Sequence, residues 1–154
     1  MKTRTMTAAL ALCAMMMLAA CGGKSVDEKA GKLLEQAQTQ FEQGAYTEAL
    51  ATIDSLRKNC PDAIEARKKA LRLYQEVELK RARITVESTD TVLQRVEREY
   101  QALKQTVDSL REKSLATEDQ LRKVNLMRVY RDSLKTVFDV ECAKIKYIKK
   151  KMEE

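Results

Sequence analysis

Cysteine is the residue of this chain whose type and position offer the most chemistry. The 154-residue sequence contains four cysteines and no histidine. Because histidine is the usual general base near neutral pH and a common metal ligand, Ser-His-Asp catalysis, Cys-His catalysis and histidine-based zinc sites are excluded. The carboxylates are scattered, and no pair is predicted to share an apolar pocket, as acid–base catalysis requires. We therefore predict no enzyme, no cofactor and no metal site.

Cys21 ends an apolar run that follows a basic start. Lys2 and Arg4 precede an apolar stretch from Ala8 to Ala20, as in a secretory signal, and this stretch is too short to span a bilayer stably. The segment Leu18-Ala19-Ala20-Cys21 resembles the lipobox of bacterial lipoproteins. This resemblance implies cleavage before Cys21, a diacylglycerol on its sulfur and an acyl chain on its new amino group, which together anchor a protein in a membrane. The alternative is an ordinary secretory signal in which Cys21 has no role.

Gly22 bears on which membrane carries the anchor. In lipoproteins of envelopes with two membranes, an aspartate directly after the lipidated cysteine commonly retains the protein in the inner membrane. Gly22 stands at that position here, so the resemblance favours the outer membrane. It leaves the periplasmic and the cell-surface face both open. We predict a cleaved signal peptide over 1–20 and a lipidated tether over 21–29, followed by a short helical hairpin over 30–61 and a long one over 62–154.

The composition predicts helices throughout the exported part of the chain. The only proline is Pro61, and no glycine follows Gly44. A stretch from Asp62 to Glu154 without either residue, and rich in Leu, Lys, Arg and Glu, favours helix. The formal net charge is +6, but charges of both signs alternate, which is typical of solvated helices and not of a nucleic-acid-binding arm. The predicted fold class is all-α.

The segment from residue 30 to 63 resembles a single tetratricopeptide repeat. Two helices are predicted there, from about Val26 to Gln43 and from Tyr46 to about Lys58, and Pro61 is predicted to open a third. The residues at the spacing of the repeat are Leu33, Ala37, Phe41, Gly44, Tyr46, Ala49, Ile53 and Pro61.

This segment departs from the repeat pattern at two positions. Leu33 stands at the usual tryptophan position, and Leu56 stands where alanine is common. No second repeat follows at the expected period of about 34 residues, so the hairpin must pack on another element, most simply the start of the third helix. A plain helical hairpin is the alternative. The residues predicted to supply that contact are Ala63, Ala66, Ala70 and Tyr74.

Beyond residue 75 the apolar residues follow the seven-residue spacing of a coiled coil. Thr117 and Gln120 form a predicted capping box at the start of a last helix, so two long helices joined by a short loop should pair antiparallel. The register that aligns their apolar stripes pairs Tyr100 with Tyr130 and Val86 with Ile145. The first stripe is Leu79, Ala82, Val86, Leu93, Val96, Tyr100, Leu103, Val107 and Leu110, and the second is Leu121, Val124, Met127, Tyr130, Leu134, Val137, Phe138, Ile145, Ile148 and Met152.

The remaining cysteines are predicted not to pair within the chain. In the predicted register Cys142 lies beside Thr89, and Thr89 is about 43 Å from Cys60 if the helix is straight. A disulfide needs Cα atoms within about 7 Å. Free or intermolecular thiols are therefore expected at both positions.

Two basic stretches are predicted to meet on the long hairpin, and we call them together the basic patch. The patch is suited to bind anionic lipid headgroups, an envelope polymer or an acidic partner, and the alternative is a solvated helix end. The favoured function is that of a membrane-anchored structural or adaptor lipoprotein with a protein partner in the envelope; the second is a membrane-surface or polymer binder. No nucleic acid is predicted to bind, and the oligomeric state is open. The patch comprises Lys80, Arg81, Arg83, Lys144, Lys146, Lys149, Lys150 and Lys151.

Overall fold

The computed structural model describes residues 22–154, and its fold is all-α. Its four helices are α1 (Gly22–Glu42), α2 (Tyr46–Asn59), α3 (Ile64–Glu112) and α4 (Glu118–Glu153), and residues 22–154 contain no strand. The described chain divides into two compact units, one ending at Val77 and the other beginning at Glu78. Helix α3 contributes to both. The signal peptide predicted over 1–20 and the lipidation site Cys21 lie outside the described residues.

Helices α1 and α3 both end in a left-handed residue. Gly44 has a φ of +78°, its N–H donates to the Phe41 carbonyl at 3.0 Å, and the Ala45 N–H donates to the Gln40 carbonyl at 2.8 Å. These two bonds are those of a Schellman motif, which satisfies carbonyls at a helix C-terminus. Ser114, with a φ of 58°, terminates α3 in the same way. The predicted end of the first helix at Gln43, directly before Gly44, is confirmed to within one residue, since α1 ends at Glu42.

Helix α4 begins at the predicted capping box. The Gln120 backbone N–H donates to Thr117 Oγ1 at 3.3 Å, and the Thr117 backbone N–H donates to Gln120 Oε1 at 2.9 Å. Two of the N–H groups that a helix start leaves unpaired are thereby satisfied. The loop between α3 and α4 is consequently only five residues long, from 113 to 117.

Two predicted boundaries differ from the structure. Pro61 does not open the third helix, because Pro61 and Asp62 form a turn and α3 begins at Ile64. The Pro61 carbonyl instead accepts a hydrogen bond from Arg67 Nη1 at 2.8 Å, which ties the turn to the first helical turn of α3. The predicted tether over 21–29 is helical from Gly22 onward, since α1 starts there.

The first unit packs α1, α2 and the start of α3 around a core of small and branched side chains. Ile53 and Leu56 of α2 are fully buried, and alanines at facing positions let the helix backbones approach closely. Thr52 Oγ1 donates to Gln40 Oε1 at 2.8 Å, so the one polar residue buried in this core is paired. The predicted contact of the hairpin with the third helix is confirmed. The buried cluster is Ala30, Ala37, Ala49, Ile53, Leu56, Cys60, Ala63, Ala70, Leu73 and Val77, and Ala66 and Tyr74 pack partly buried against it.

The second unit is an antiparallel helical hairpin made by the rest of α3 with α4. The buried series on α3 changes phase between Val77 and Leu79, which is where the chain divides into its units. From there, buried or half-buried residues recur in alternating steps of three and four on both helices, the spacing of a coiled-coil seam. The positions on α3 are Leu79, Ala82, Val86, Thr89, Leu93, Val96, Tyr100, Leu103, Val107 and Leu110, and those on α4 are Val124, Met127, Arg131, Leu134, Phe138, Glu141, Ile145, Ile148 and Met152.

One predicted pairing of this hairpin is wrong, and one ion pair departs from the predicted register. Tyr130 does not meet Tyr100, because Tyr130 is 50% exposed while Tyr100 is 6% exposed, and Arg131 lies over the Tyr100 ring instead. At the other end, Glu78 binds Lys144 at 2.9 Å, although the predicted register places Lys144 beside Val86, about 12 Å along the helix from Glu78. Tyr130 was predicted to lie in the seam because tyrosine is more apolar than arginine. Regular spacing assigns that position to Arg131, which occupies it in the structure.

Candidate functional site

Most of the basic patch lies at the exposed surface of the second unit. Arg81 of the first stretch and Lys144 of the second both bind Glu78, so these two residues of the patch lie close together. Three patch residues are neutralised locally: Arg81 binds Glu78 at 3.1 Å, Lys144 binds Glu78, and Lys151 binds Glu154 at 2.6 Å. The patch residues that form no ion pair within residues 22–154 are Lys80, Arg83, Lys146, Lys149 and Lys150.

Lys144 is the most enclosed cation of the patch. Its hydrogen bond to Glu78, opposed by partial burial, raises the pKa of Lys144 above its usual value. Its Nζ also lies 3.5 Å from Glu141 Oε2, a buried atom that accepts no hydrogen bond from the described residues. Lys144 therefore acts as an interhelical bridge between acidic side chains, and its charge is directed inward rather than toward an anionic surface.

Arg131 forms a second polar contact between the helices. Its guanidinium carbon lies 4.3 Å from the centroid of the Tyr100 ring, its Nε lies 3.6 Å from Glu97 Oε2, and its Nη2 lies 2.7 Å from Asp132 Oδ1. The hydrogen bond to Asp132 and the nearby charge of Glu97 raise the pKa of Arg131, which stays charged at any physiological pH. Because its side chain is 22% exposed, this contact packs the seam and offers little surface to a ligand.

A surface that the sequence reasoning missed runs along α4, and we call it the outer strip. Six of its nine residues lie one position before a seam residue, so it occupies the neighbouring face of the helix. Lys144 falls on the same line between Val140 and Tyr147. Leu126 and Tyr147, near its ends, are each 63% exposed. The sequence contains these uncharged residues on one side of α4, but Tyr130 and Val137 were assigned to the seam. The outer strip comprises Leu126, Val129, Tyr130, Ser133, Thr136, Val137, Val140, Ala143 and Tyr147, all of them exposed.

The described residues contain no further candidate centre. No group of three or more His, Cys, Asp or Glu side chains among them is placed to hold a metal ion. None of the helices described here combines the length and the apolar character that crossing a bilayer requires. Cys60 and Cys142 are both free thiols, as predicted.

Comparisons with known proteins give no relative from which a function can be carried over. No family model, no curated protein and no solved structure matches this chain.

Proposed function

We propose that the protein is a non-catalytic adaptor lipoprotein of the bacterial cell envelope. Its anchor is lipid on Cys21, and its helices hold or recruit a protein partner near the membrane, with the outer membrane favoured. The Leu18-Ala19-Ala20-Cys21 sequence supports the anchor through its resemblance to a lipobox. The adaptor role is supported by the apolar side chains that α4 exposes to solvent.

The exposed apolar surface of α4 is the observation that carries the adaptor role. Soluble proteins seldom expose contiguous apolar surface without a use for it, and such surface marks interaction sites. Residues from Leu126 to Tyr147 present six large apolar side chains that are at least 44% exposed. They lie on one helix face at regular spacing, which is the arrangement that another protein surface can cover.

Two measurements test the anchor and the adaptor role separately. Cells grown with a radiolabelled fatty acid should yield a labelled membrane-bound protein, and Cys21→Ala should be unlabelled and released from the membrane fraction. Chemical crosslinking in the native envelope should then join the lipidated protein to a defined protein partner. A Cys21→Ala variant that remains membrane-bound and labelled contradicts the anchor, and a wild-type protein with no reproducible crosslinked protein contradicts the adaptor role.

The second candidate function is binding of anionic lipid headgroups or an envelope polymer through the basic patch. The observation in its favour is that Lys146, Lys149 and Lys150 are exposed at positions i, i+3 and i+4 of α4 and share a face. Each basic residue near an anionic surface contributes about 1 kcal/mol. Flotation of the unlipidated Cys21→Ala chain with anionic vesicles should therefore be lost on Lys146→Glu, Lys149→Glu and Lys150→Glu. Unchanged flotation removes this candidate.

A further inference from the structure

One layer of the seam in the second unit contains no apolar side chain. Thr89 of α3 is 8% exposed, and the Glu141 side chain of α4 is 19% exposed. Arg131 lies over the Tyr100 ring, and from this contact Thr89 and Glu141 are each three seam positions away in the same direction along the pair. The two residues therefore belong to one layer, and every other layer of this seam has at least one apolar side chain.

This polar layer holds the two helices together less strongly than its neighbours do. Glu141 Oε2 is buried and accepts no hydrogen bond from the described residues, and Lys144 Nζ lies 3.5 Å from it. A buried polar atom without a hydrogen bond destabilises the packed arrangement, and the layer also lacks the apolar contact that stabilises the rest of the seam. Opening of this layer returns the carboxylate oxygen to water, so it costs less free energy than opening of an apolar layer.

Helix α3 has its lowest helix propensity at the same level. Five of the seven residues from Thr85 to Thr91 are Ser, Thr or Asp, which favour helix less than Ala, Leu or Glu because their side chains compete for backbone hydrogen bonds. Thr85, Ser88 and Thr91 each donate a hydrogen bond of 3.1 Å to a backbone carbonyl three or four residues earlier. Hydroxyl groups bonded in this way commonly bend a helix.

Polar contacts join the two helices on both sides of this layer. On one side, Lys144 of α4 binds Glu78 of α3 at 2.9 Å. On the other side, the guanidinium carbon of Arg131 lies 4.3 Å from the centroid of the Tyr100 ring, and its Nε lies 3.6 Å from Glu97 Oε2. The two parts of the hairpin are thus each held together, and the weakly held layer lies between them.

We propose that the second unit contains a hinge at the layer of Thr89 and Glu141, about which the outer arm of the hairpin, residues 92–138, bends. The arm is about 30 Å long from residue 92 to residue 112 at 1.5 Å per residue. This inference goes beyond the proposed adaptor function, because the hinge requires neither the lipid anchor nor a partner. Hinges of this kind absorb a change of direction over a few residues while the packing on either side is kept.

Distances between two spin labels measure the bend directly. The labels are attached to unnatural side chains, so that the native cysteines stay unchanged. A pair at Lys80 and Arg98 spans the layer, and a matched pair at Gln94 and Glu112 lies within the arm; all four positions are exposed, and each pair is 18 residues apart, about 27 Å on a straight helix. The distance distribution of the first pair should be at least twofold wider than that of the second. Equal widths overturn the hinge.

Amide hydrogen exchange of the full chain locates the opening. Relative to their rates in an unfolded chain, the amides of residues 85–91 should exchange at least tenfold faster than those of residues 79–83 and 93–103 on the two sides. Thr89→Leu with Glu141→Leu should remove most of this difference and narrow the distribution of the first label pair, since an apolar layer replaces the polar one. The matched control, Thr106→Leu with Asp139→Leu at exposed positions, should change neither.

Other results of these measurements also overturn the hinge. Exchange that is uniform along residues 79–103 excludes a weak layer, and exchange that rises steadily from residue 103 to residue 79 assigns the motion to fraying from one end of the hairpin. A leucine variant that folds but keeps the wide distribution removes the role of Thr89 and Glu141. If the leucine variant does not fold, the comparison of the two label pairs in the otherwise wild-type chain decides.

Discussion

The observed hairpin differs from the predicted one in the residue of α4 that contacts Tyr100. Tyr100 is 6% exposed and has the guanidinium of Arg131 4.3 Å from its ring centroid, whereas Tyr130 is 50% exposed. Truncating a buried aromatic side chain to alanine costs about 3–5 kcal/mol. Tyr100→Ala also removes a cation–π contact worth about 0.5–1 kcal/mol at a partly exposed site. We therefore expect Tyr100→Ala to lower the free energy of unfolding of the hairpin by about 3–5 kcal/mol.

Tyr130→Ala is the matched comparison on the neighbouring face of the hairpin. Half of its side chain is in water in the folded state, so its removal costs about 1 kcal/mol or less. Alanine also favours helix over tyrosine by several tenths of a kcal/mol, which offsets part of this loss. The net change for Tyr130→Ala should be within about 0.5 kcal/mol of zero, several kcal/mol smaller than that for Tyr100→Ala.

Urea unfolding followed by circular dichroism measures both changes, and amide hydrogen exchange locates them. Exchange should accelerate in the α3 and α4 segments around Tyr100 and Arg131 for Tyr100→Ala only. Tyr100→Phe should retain most of the stability, since the ring remains. Equal losses for the two alanine variants, or a larger loss for Tyr130→Ala, would refute the placement of Arg131 in the seam and restore the pairing of the two tyrosines.

Three further predictions concern stability. Glu78 raises the pKa of Lys144, so the contribution of Lys144 to the free energy of unfolding is complete below the usual lysine pKa of about 10.4 and is lost as the pH rises through its higher folded pKa. The wild type should therefore lose more stability than Lys144→Met between about pH 9 and 12. Parallel curves of stability against pH would contradict this. Thr117→Ala should cost about 1 kcal/mol and speed amide exchange in the first turn of α4, while Thr117→Ser should not. Gly31→Ala, in open space within α1, should stabilise by about 0.5–1 kcal/mol in urea unfolding, whereas Gly44→Ala, at a φ of +78°, should destabilise by about 1 kcal/mol or more.

Sequence reasoning succeeded where a feature depends on a few neighbouring residues. The capping box requires only Thr117 and Gln120, and the end of α1 requires only a glycine that tolerates a positive φ, so both could be predicted from local chemistry. The packing of Ala63 and Ala70 on the first hairpin followed from spacing and small size. These signals are local and do not depend on which helices meet.

The seam of the second unit shows why the rest could not be predicted in the same way. Arg131 and Glu141 occupy seam positions by spacing, but the predicted stripe contained Tyr130 in place of Arg131 and omitted Glu141. An arginine can enter a seam because its stem is apolar and its guanidinium stacks on Tyr100, and only the folded structure supplies that ring and the Glu97 carboxylate. The candidate site changed for the same reason, since Lys144 is a free cation in the sequence and a bridge to Glu78 in the structure.

The two free thiols of residues 22–154 differ in how a thiol reagent reaches them. Cys60 is fully buried in the first unit, and Cys142 is partly exposed in the second. A thiol reagent must wait for an opening of the first core before it reaches Cys60, whereas part of Cys142 is already accessible to it. The time course of labelling at Cys60 therefore records the opening of the first unit, and labelling at Cys142 in the same chain is the reference for a thiol that is accessible without full unfolding.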